Sequence, residues 1–178
     1  MLRSVSDLKQ FTIAAVDGRL GSVSDLYFDD RSWAVRYLVV EAGTWLPSGR
    51  AFVPPVAVQS SESSTTLRIA LSKEQVKVSP PVDTGDAHLQ AATAVMGYAM
   101  QAEDGEIGHV NDVLVDDKAW AIRYLVVDTK KWWGGKKVLV SPEWLTGVSW
   151  DESKTLFCLV TAADDTGAPR ALSRRLSG

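Results

Sequence analysis

Hydrophobic residues occur along the chain in short runs that are separated by turn-forming residues. The run from Trp33 to Glu41 is rich in Val, Tyr and Trp, which favour β-strands. Its centre, Leu38-Val39-Val40, places apolar side chains on both faces of a strand, so we expect this strand to be covered on both sides. The pattern therefore predicts a mainly β chain that is built from short strands.

The sequence contains an internal repeat. When the chain is shifted by 87 residues, positions 17–41 align with positions 104–128 and share 14 identities in 25. The aligned pairs include Trp33 with Trp120, and the turn dipeptide Asp-Gly occurs at the start of both segments. Agreement of this extent indicates a duplication, so the chain is predicted to hold two tandem copies of one small domain.

The repeat also gives the boundaries of the predicted domains. We expect the first repeat at 1–80 and the second repeat at 94–162. The intervening segment, 81–93, begins with Pro and Gly residues that break regular structure, and it is predicted to be a linker. The polar end of the chain, 163–178, is predicted to be a loosely ordered tail.

Turn signals and apolar runs together predict the strands of each repeat. Asp17-Gly18 is a strong turn signal, which predicts a hairpin with strands near 11–16 and 20–29. Gly21 and its twin Gly108 interrupt the second of these strands and indicate a bulge or a tight bend. Each repeat thus contains five or six short strands, the number of a small barrel or rolled sheet. The further strands are predicted at 33–41, 50–53, 66–71, 137–140 and 155–160, and a short helix is predicted at 72–77 with Ser72 as its N-cap.

Charged residues within the predicted strands need partners. If a two-residue turn follows Asp29, then Asp25 lies opposite Arg36 on the neighbouring strand. The same geometry in the second repeat places Asp112 opposite Arg123. We interpret both as structural cross-strand pairs, each worth about 0.2–1 kcal/mol, with a functional arginine as the alternative. A three-residue turn with a bulge would change this register.

The segment around Trp132 points most directly to binding. Trp132 and Trp133 precede a Gly-Gly pair and then Lys136 and Lys137, while Trp45 is the equivalent tryptophan of the first repeat. Two interpretations of the tryptophans stay open: they cap the barrel, or they form an exposed anchor for a partner, including a second copy of the protein. Stacking on a nucleic-acid base is a third, because the lysines permit it. These five residues are the candidate partner-binding residues.

The sequence shows no pattern that is typical of catalysis. His88 and His109 fall in different elements, without a second ligand type at metal spacing. A glycine-flanked nucleophile turn and a Gly-rich phosphate loop are both missing from the sequence. The adjacent acids Asp29-Asp30 and Asp116-Asp117 are interpreted as solvated turn formers, with a weak cation site at the barrel rim as the alternative. We therefore expect no catalytic residue, no cofactor and no metal.

Composition narrows the class of partner. The net charge is −3, from 19 basic and 22 acidic residues, and this balance disfavours general nucleic-acid binding. The single cysteine, Cys158, lies in an apolar run and is interpreted as a buried thiol. Neither a signal peptide nor an apolar stretch of membrane-spanning length is visible, so we predict a cytoplasmic protein with no membrane span.

The repeated residues resemble a known family. Asp-Gly-x-hydrophobic-Gly-x-Val-x-Asp at 17–25, followed by Asp-Asp-x-x-Trp-Ala-hydrophobic-Arg-Tyr-Leu-Val-Val at 29–40, resembles the PRC-barrel domain. That domain is the β-barrel of the photosynthetic reaction centre H subunit and of the C-terminal part of the ribosome-maturation factor. The resemblance covers 8–80 and 94–162, and it is close to the pattern of stand-alone bacterial proteins with two such domains. It implies a mainly β fold of two tandem small PRC-type β-barrels, and a protein-docking role.

We therefore expect a non-catalytic docking or assembly module whose protein partner is unidentified. Homodimerisation is a further expectation, because each repeat carries large apolar side chains and rolled sheets leave edges to cover. Two alternatives stay open: an RNA- or ribosome-associated maturation-type factor, and a carrier of a small ligand or cation. A role in photosynthesis or ribosome assembly does not follow, because the membrane helix and the N-terminal barrel of those two relatives have no counterpart in this sequence.

Overall fold

The structure is a computed structural model of the chain, in which the described residues form two seven-stranded sheets. The chain divides into two compact units. Unit 1 comprises Met1–Thr93 with Val115–Ile122, and unit 2 comprises Ala94–Leu114 with Arg123–Gly178. The residues that the structure describes are 1–63, 65–103, 105–129, 136–151 and 153–158.

The first half of the chain contains eight strands and two short α-helices among its described residues. Two 3-10 helices, Gly43–Trp45 and Pro55–Ala57, flank the fifth strand. The elements are β1 (Leu2–Ser4), α1 (Val5–Leu8), β2 (Thr12–Ala15), β3 (Gly18–Asp29), β4 (Val35–Glu41), β5 (Arg50–Val53), β6 (Val58–Ser63), β7 (Thr66–Ile69), α2 (Lys73–Lys77) and β8 (Leu89–Ala91). One sheet has the order β5-β4-β3-β2-β7-β6, and β8 pairs with β3.

The second half repeats this succession. A 3-10 helix at Pro142–Trp144 occupies the position of Pro55–Ala57. The elements are α3 (Ala92–Val95), β9 (Ala99–Ala102), β10 (Gly105–Asp116), β11 (Ala121–Asp128), β12 (Lys137–Val140), β13 (Leu145–Ser149) and β14 (Thr155–Cys158). The second sheet has the order β12-β11-β10-β9-β14-β13, and β1 pairs with β10.

The structure confirms the mainly β prediction and most of the predicted elements. β5 and β12 have the predicted bounds, and the hairpin of β2 and β3 forms around the predicted Asp17-Gly18 turn. α2 begins after Ser72, whose Oγ accepts from the backbone N–H of Gln75 at 3.1 Å. The Gln75 Oε1 accepts from the backbone N–H of Ser72 at 2.8 Å, which completes a capping box.

Each sheet has seven strands where five or six were expected, and the unpredicted strands are β6 and β8 in the first sheet and β13 and β1 in the second. β8 lies at 89–91, inside the segment predicted to be a linker, and it pairs with β3. β1 lies 87 residues earlier and was likewise not predicted. Strands of three residues are too short for a hydrophobic period to be visible, because a single alternation cannot be distinguished from a loop.

The strand β4 forms the centre of the first sheet's core. Leu38, Val39 and Val40 are all buried, as the apolar run on both faces predicts. Gly21 lies where the backbone of β3 approaches the end of β4: a Cβ there would lie 1.9 Å from the carbonyl oxygen of Glu41. The register of β2 against β3 also shifts next to Gly21, so the predicted bulge is present.

Candidate functional site

The turn between β3 and β4 is longer than predicted. The backbone N–H of Trp33 donates to the carbonyl oxygen of Asp29 at 2.7 Å, and the N–H of Asp29 donates to the carbonyl of Ala34 at 2.9 Å. The strands are therefore joined through residues 30–34, and the two-residue turn of the sequence prediction is wrong. Trp33 adopts a left-handed backbone with φ of 60°, which costs about 1–3 kcal/mol in a non-glycine residue.

The longer turn changes the register of the two strands. Asp25 lies opposite Val39, so the predicted pair of Asp25 with Arg36 is wrong. The carboxylate of Asp25 instead accepts hydrogen bonds from Thr93 in α3, from the backbone N–H at 3.1 Å and from Oγ1 at 2.5 Å. The equivalent pair of Asp112 with Arg123 in the second repeat stays a prediction.

Arg36 contributes to a cluster around Asp29. Arg31 donates to the Asp29 carboxylate from its backbone N–H and from two guanidinium nitrogens, at 2.9, 3.2 and 2.9 Å. Arg36 Nη2 lies 3.5 Å from Asp29 Oδ2. The hydrogen bonds from Arg31 hold the pKa of Asp29 well below its usual range, so the carboxylate stays ionised.

The acid pairs form turns as predicted, because Asp29 and Asp116 accept hydrogen bonds from backbone N–H groups of their own turns. The neighbouring acids Asp30 and Asp117 have protein partners and are largely shielded from water, so the prediction that the pairs are solvated is wrong. Asp30 accepts from His88 Nδ1 at 2.9 Å and from Gln90 Nε2 at 3.4 Å. Asp117 accepts from Arg3 Nε at 2.6 Å and from the amine of Met1 at 3.0 Å. Burial raises the pKa of Asp117. The hydrogen bonds from Arg3 and the Met1 amine lower this pKa by more than burial raises it, so the pKa lies below its usual value.

The two turns that carry these acids are hydrogen bonded to each other within unit 1. The backbone N–H of Val35 donates to the carbonyl of Trp120 at 2.8 Å, and the N–H of Ile122 donates to the carbonyl of Trp33 at 2.8 Å. Trp120 has the same left-handed backbone as Trp33, with φ of 48°. The Trp33 ring stacks on Phe28 at a centroid distance of 5.0 Å. Sequence reasoning missed this arrangement, although the repeated Trp within each turn is a signal for it.

The candidate partner-binding residues fall into two groups. Trp45 is half-buried: its Nε1 donates to the carbonyl of Leu20 at 2.8 Å, and Lys73 Nζ lies 5.7 Å from its ring centroid. These contacts account for Trp45 as a packing residue of its own barrel. Lys136 and Lys137 are exposed. Trp132 and Trp133 lie outside the described residues.

A groove on unit 1 is a concave surface that the sequence did not predict. It has a volume of about 900 Å³. Its apolar lining includes residues of the segment after β5 and Trp120, the second of the two left-handed tryptophans. Val56, in the 3-10 helix after β5, is 92% exposed. We call this cavity the unit 1 groove, and its principal apolar lining residues are Pro54, Pro55, Val56, Val58 and Trp120.

The rim of the unit 1 groove carries charge. Arg3, Arg36 and Lys118 line it, together with one carboxylate, Asp117. Arg3 already neutralises Asp117 through the contact at 2.6 Å. The rim is therefore positive overall, in a chain whose net charge is −3.

The remaining candidates form no converging site. Within the described ranges, no three or more His, Cys, Asp or Glu side chains are placed so that they could hold a metal ion. His109 lies 3.8 Å from Glu106 on the exposed surface, and His88 belongs to the Asp30 contact described above. Cys158 is buried, as predicted. The part of the chain that the structure describes includes no helix with the length and apolar character needed to cross a membrane.

Comparison with known proteins agrees with the fold. A search of curated proteins finds no match to the chain. The model of the PRC-barrel domain family matches twice, at residues 2–77 and 99–154, which together make up more than half of the chain. The two matches correspond to the two repeats and confirm the resemblance that their residues indicate. The chain belongs to the PRC-barrel domain family, with two of these domains in tandem.

Proposed function

We propose that this protein is a non-enzymatic docking protein that binds a segment of another protein in the unit 1 groove. The observation that carries the proposal is the apolar segment Pro54-Pro55-Val56, which presents an almost fully exposed valine beside a concave surface of about 900 Å³. Exposed apolar surface beside a groove is typical of a binding site, because water is displaced from both partners on association.

The polar groups near the groove support a binding role over a catalytic one. Asp117, the carboxylate of the groove lining, accepts hydrogen bonds from Arg3 and the Met1 amine, and Asp29, which lies beside the lining residue Arg36, accepts hydrogen bonds from Arg31. A catalytic site needs titratable groups whose reactive atoms converge on a common point that a substrate can reach. The carboxylates at this surface are occupied in building the scaffold instead.

Site-specific photocross-linking tests the proposal. A photoreactive amino acid is placed at Val56 in the full-length protein and, as a matched control, at Val78, which is also exposed but lies outside the groove lining. We expect a protein that is cross-linked from position 56 and not from position 78. The captured protein is then purified, and its affinity is measured for the native chain, Val56→Asp and Val78→Asp.

The affinity measurement decides the outcome. Burying an aspartate in place of an apolar contact should weaken binding by about tenfold or more for Val56→Asp. Val78→Asp should bind like the native chain. The same proteins captured from both positions, or an affinity that does not change in Val56→Asp, would overturn the groove as the docking site.

Three further parts of the proposal need their own measurements. Loss of the partner in Trp132→Ala/Trp133→Ala, with Val56→Asp unaffected, would keep the docking role but assign it to the tryptophan segment.

Homodimerisation predicts twice the chain mass in solution at high micromolar concentration, and a monomer mass contradicts it. A cytoplasmic location predicts that the protein is recovered in the cytoplasmic fraction of its own cells.

A further inference from the structure

The charges around the unit 1 groove distinguish one class of partner segment from others. Three cationic side chains, Arg3, Arg36 and Lys118, face one carboxylate, Asp117, in the groove lining. Asp117 is paired with Arg3. Arg36 shares Asp29 with the closer Arg31, so these three side chains keep one excess positive charge, and Lys118 adds a second at the rim.

Arg36 has guanidinium N–H donors that its contact with Asp29 does not use. Its side chain is 55% exposed, and Nη2 lies 3.5 Å from Asp29 Oδ2. Asp29 is already held by Arg31 at the shorter distance of 2.9 Å. Because a guanidinium carries five N–H donors in a planar fork, Arg36 can bind an incoming carboxylate while it keeps its contact with Asp29.

Lys118 lies on the turn between β10 and β11. Its backbone N–H donates to Asp116 Oδ1 at 2.9 Å, which fixes the turn, while the residue itself is exposed. Trp120, two residues further along the chain, is a largely buried part of the groove's apolar lining. The turn thus places a flexible cation beside an apolar surface.

The net charge of the chain makes this local pattern selective. A net charge of −3 gives no general attraction for anions, so an acidic ligand gains from the protein only where positive side chains are grouped. A basic segment would meet Arg36 and Lys118 directly and would be repelled. An uncharged apolar segment would leave both cations without compensation as water is displaced.

We propose that the unit 1 groove binds an acidic peptide segment, in which carboxylates pair with Arg36 and Lys118 and neighbouring apolar side chains contact Pro54, Val56 and Trp120. This inference rests on the docking function proposed above and adds the chemistry of the partner. The apolar contacts supply most of the affinity, and the charges supply the choice of partner.

Three matched peptide libraries test the inference. All three draw half of their positions from Leu, Val, Phe and Pro, and the other half from Asp and Glu, from Lys and Arg, or from Ser and Gln. Each library is selected against the native full-length protein. The enriched peptides are synthesised with a fluorescent label, and their affinities are measured by fluorescence anisotropy.

The variants separate charge from apolar contact. Arg36→Gln/Lys118→Gln neutralises the rim, and Arg19→Gln/Lys77→Gln removes the same charge from exposed positions outside the groove lining. Val56→Asp removes the apolar contact. The thermal midpoint of each variant is measured, so that a loss of binding is not confused with unfolding.

We expect binders from the acidic library. Their affinity should fall about fivefold for Arg36→Gln/Lys118→Gln and should not change for Arg19→Gln/Lys77→Gln. Raising the salt concentration from about 0.05 M to about 0.5 M should weaken the same peptides. Binders that come from the basic or uncharged library overturn the inference. Acidic binders that are insensitive to Arg36→Gln/Lys118→Gln overturn it as well.

The same data distinguish failure of the inference from failure of the proposed function. Uncharged binders that require Val56 leave the groove as a docking site and remove only the acidic partner. Binders that are insensitive to Val56→Asp, or the absence of binders from all three libraries, remove both. A single-stranded oligouridylate that displaces the acidic peptides and binds more tightly would replace the peptide with nucleic acid and overturn the inference.

Discussion

The two turns of unit 1 that contain left-handed tryptophans have the same backbone conformation at the tryptophan, but different groups bind their aspartates. In the first, Asp30 is bound by the imidazole of His88 and the amide of Gln90. In the second, Asp117 occupies the equivalent position 87 residues later and is bound by the amine of Met1 and the guanidinium of Arg3. His88 and Gln90 are themselves the 87-residue equivalents of Met1 and Arg3. The duplication has kept the geometry of the contact and changed the chemistry of its donors.

This difference gives the surfaces beside the turns different characters. The unit 1 groove, which includes Arg3 and Lys118, has a positive rim. A smaller cavity of about 320 Å³ is lined by Asp83 and Asp86 as well as by His88. One scaffold thus carries a cationic surface and a mixed one, so the charge of each surface depends on a few side chains and not on the fold.

The largest effect is expected where the two repeats are the same. Gly21→Ala and Gly108→Ala should each lower the free energy of unfolding by about 3 kcal/mol or more. The new Cβ would lie 1.9 Å from the Glu41 oxygen in the first case and 2.0 Å from the Asp128 oxygen in the second, so backbone must move. Urea denaturation of each variant measures the loss.

Gly147→Ala is the matched control for the glycine variants. A Cβ at Gly147 has no atom within 4 Å, so this change should alter the free energy of unfolding by less than about 0.5 kcal/mol. If the losses of unfolding free energy in Gly21→Ala and Gly108→Ala differ strongly, the two close approaches of glycine to a carbonyl oxygen are not equivalent.

A smaller effect should separate the two turns. Arg3→Ala should lower the free energy of unfolding by about 1–2 kcal/mol, because it leaves the Asp117 carboxylate without a guanidinium donor in a partly buried place. It also removes the cation that lies 5.1 Å from the Phe11 ring centroid. Gln90→Ala, at the equivalent position, should cost only about 0.5 kcal/mol because its bond to Asp30 is long, at 3.4 Å.

Chemical denaturation of both variants in the same buffer tests this ranking. The control is Arg19→Ala, which removes an exposed arginine from the start of β3. Equal losses for Arg3→Ala and Gln90→Ala would mean that the charge of the donor does not matter, and that the two turns are energetically as alike as their backbones.

The sequence predicts the repeated β fold because its main signals are local. The apolar run Leu38-Val39-Val40 specifies a buried strand, and Ser72 with Gln75 specifies the start of α2, without reference to the rest of the chain. The register of β3 and β4 was mispredicted because residues 29–32 fit a two-residue turn as well as a longer one. The left-handed Trp33, stacked on Phe28, selects the longer one.

The candidate site was harder to predict than the fold because it is assembled from distant segments. Pro54, Val56 and Val58 meet Arg36 and Lys118 only after folding, and no spacing in the sequence relates them. Sequence reasoning instead named Trp45 as one of five candidates, with capping of the barrel and partner binding both open, and its Nε1 donates a hydrogen bond to the Leu20 carbonyl of its own barrel. An aromatic residue near a basic one does not by itself distinguish packing from binding.

The smallest effect is expected from the acid dependence of the first turn. The lowered pKa of Asp29 means that its contacts stabilise the fold above the usual carboxyl pKa of about 3.9, and that this stability is lost as the pH falls toward the lowered value. Asp29→Asn should be less stable than the native chain at pH 7 and should lose less stability between pH 7 and about pH 3. Arg31 and Arg36 are 64% and 55% exposed, so water and salt screen the contribution.

The free energy of unfolding of Asp29→Asn, measured by denaturant titration at both pH values, checks this sign. Asp7→Asn, an exposed aspartate in α1, is the control and should follow the native pH dependence. Because the Asp29 contacts belong to the first turn, Asp29→Asn should leave the pH dependence that arises from Asp117 intact. A variant that keeps the full acid sensitivity of the native chain would show that the Asp29 cluster shapes the turn without stabilising it electrostatically, and the charge difference between the two turns would then rest on Asp117 and Arg3 alone.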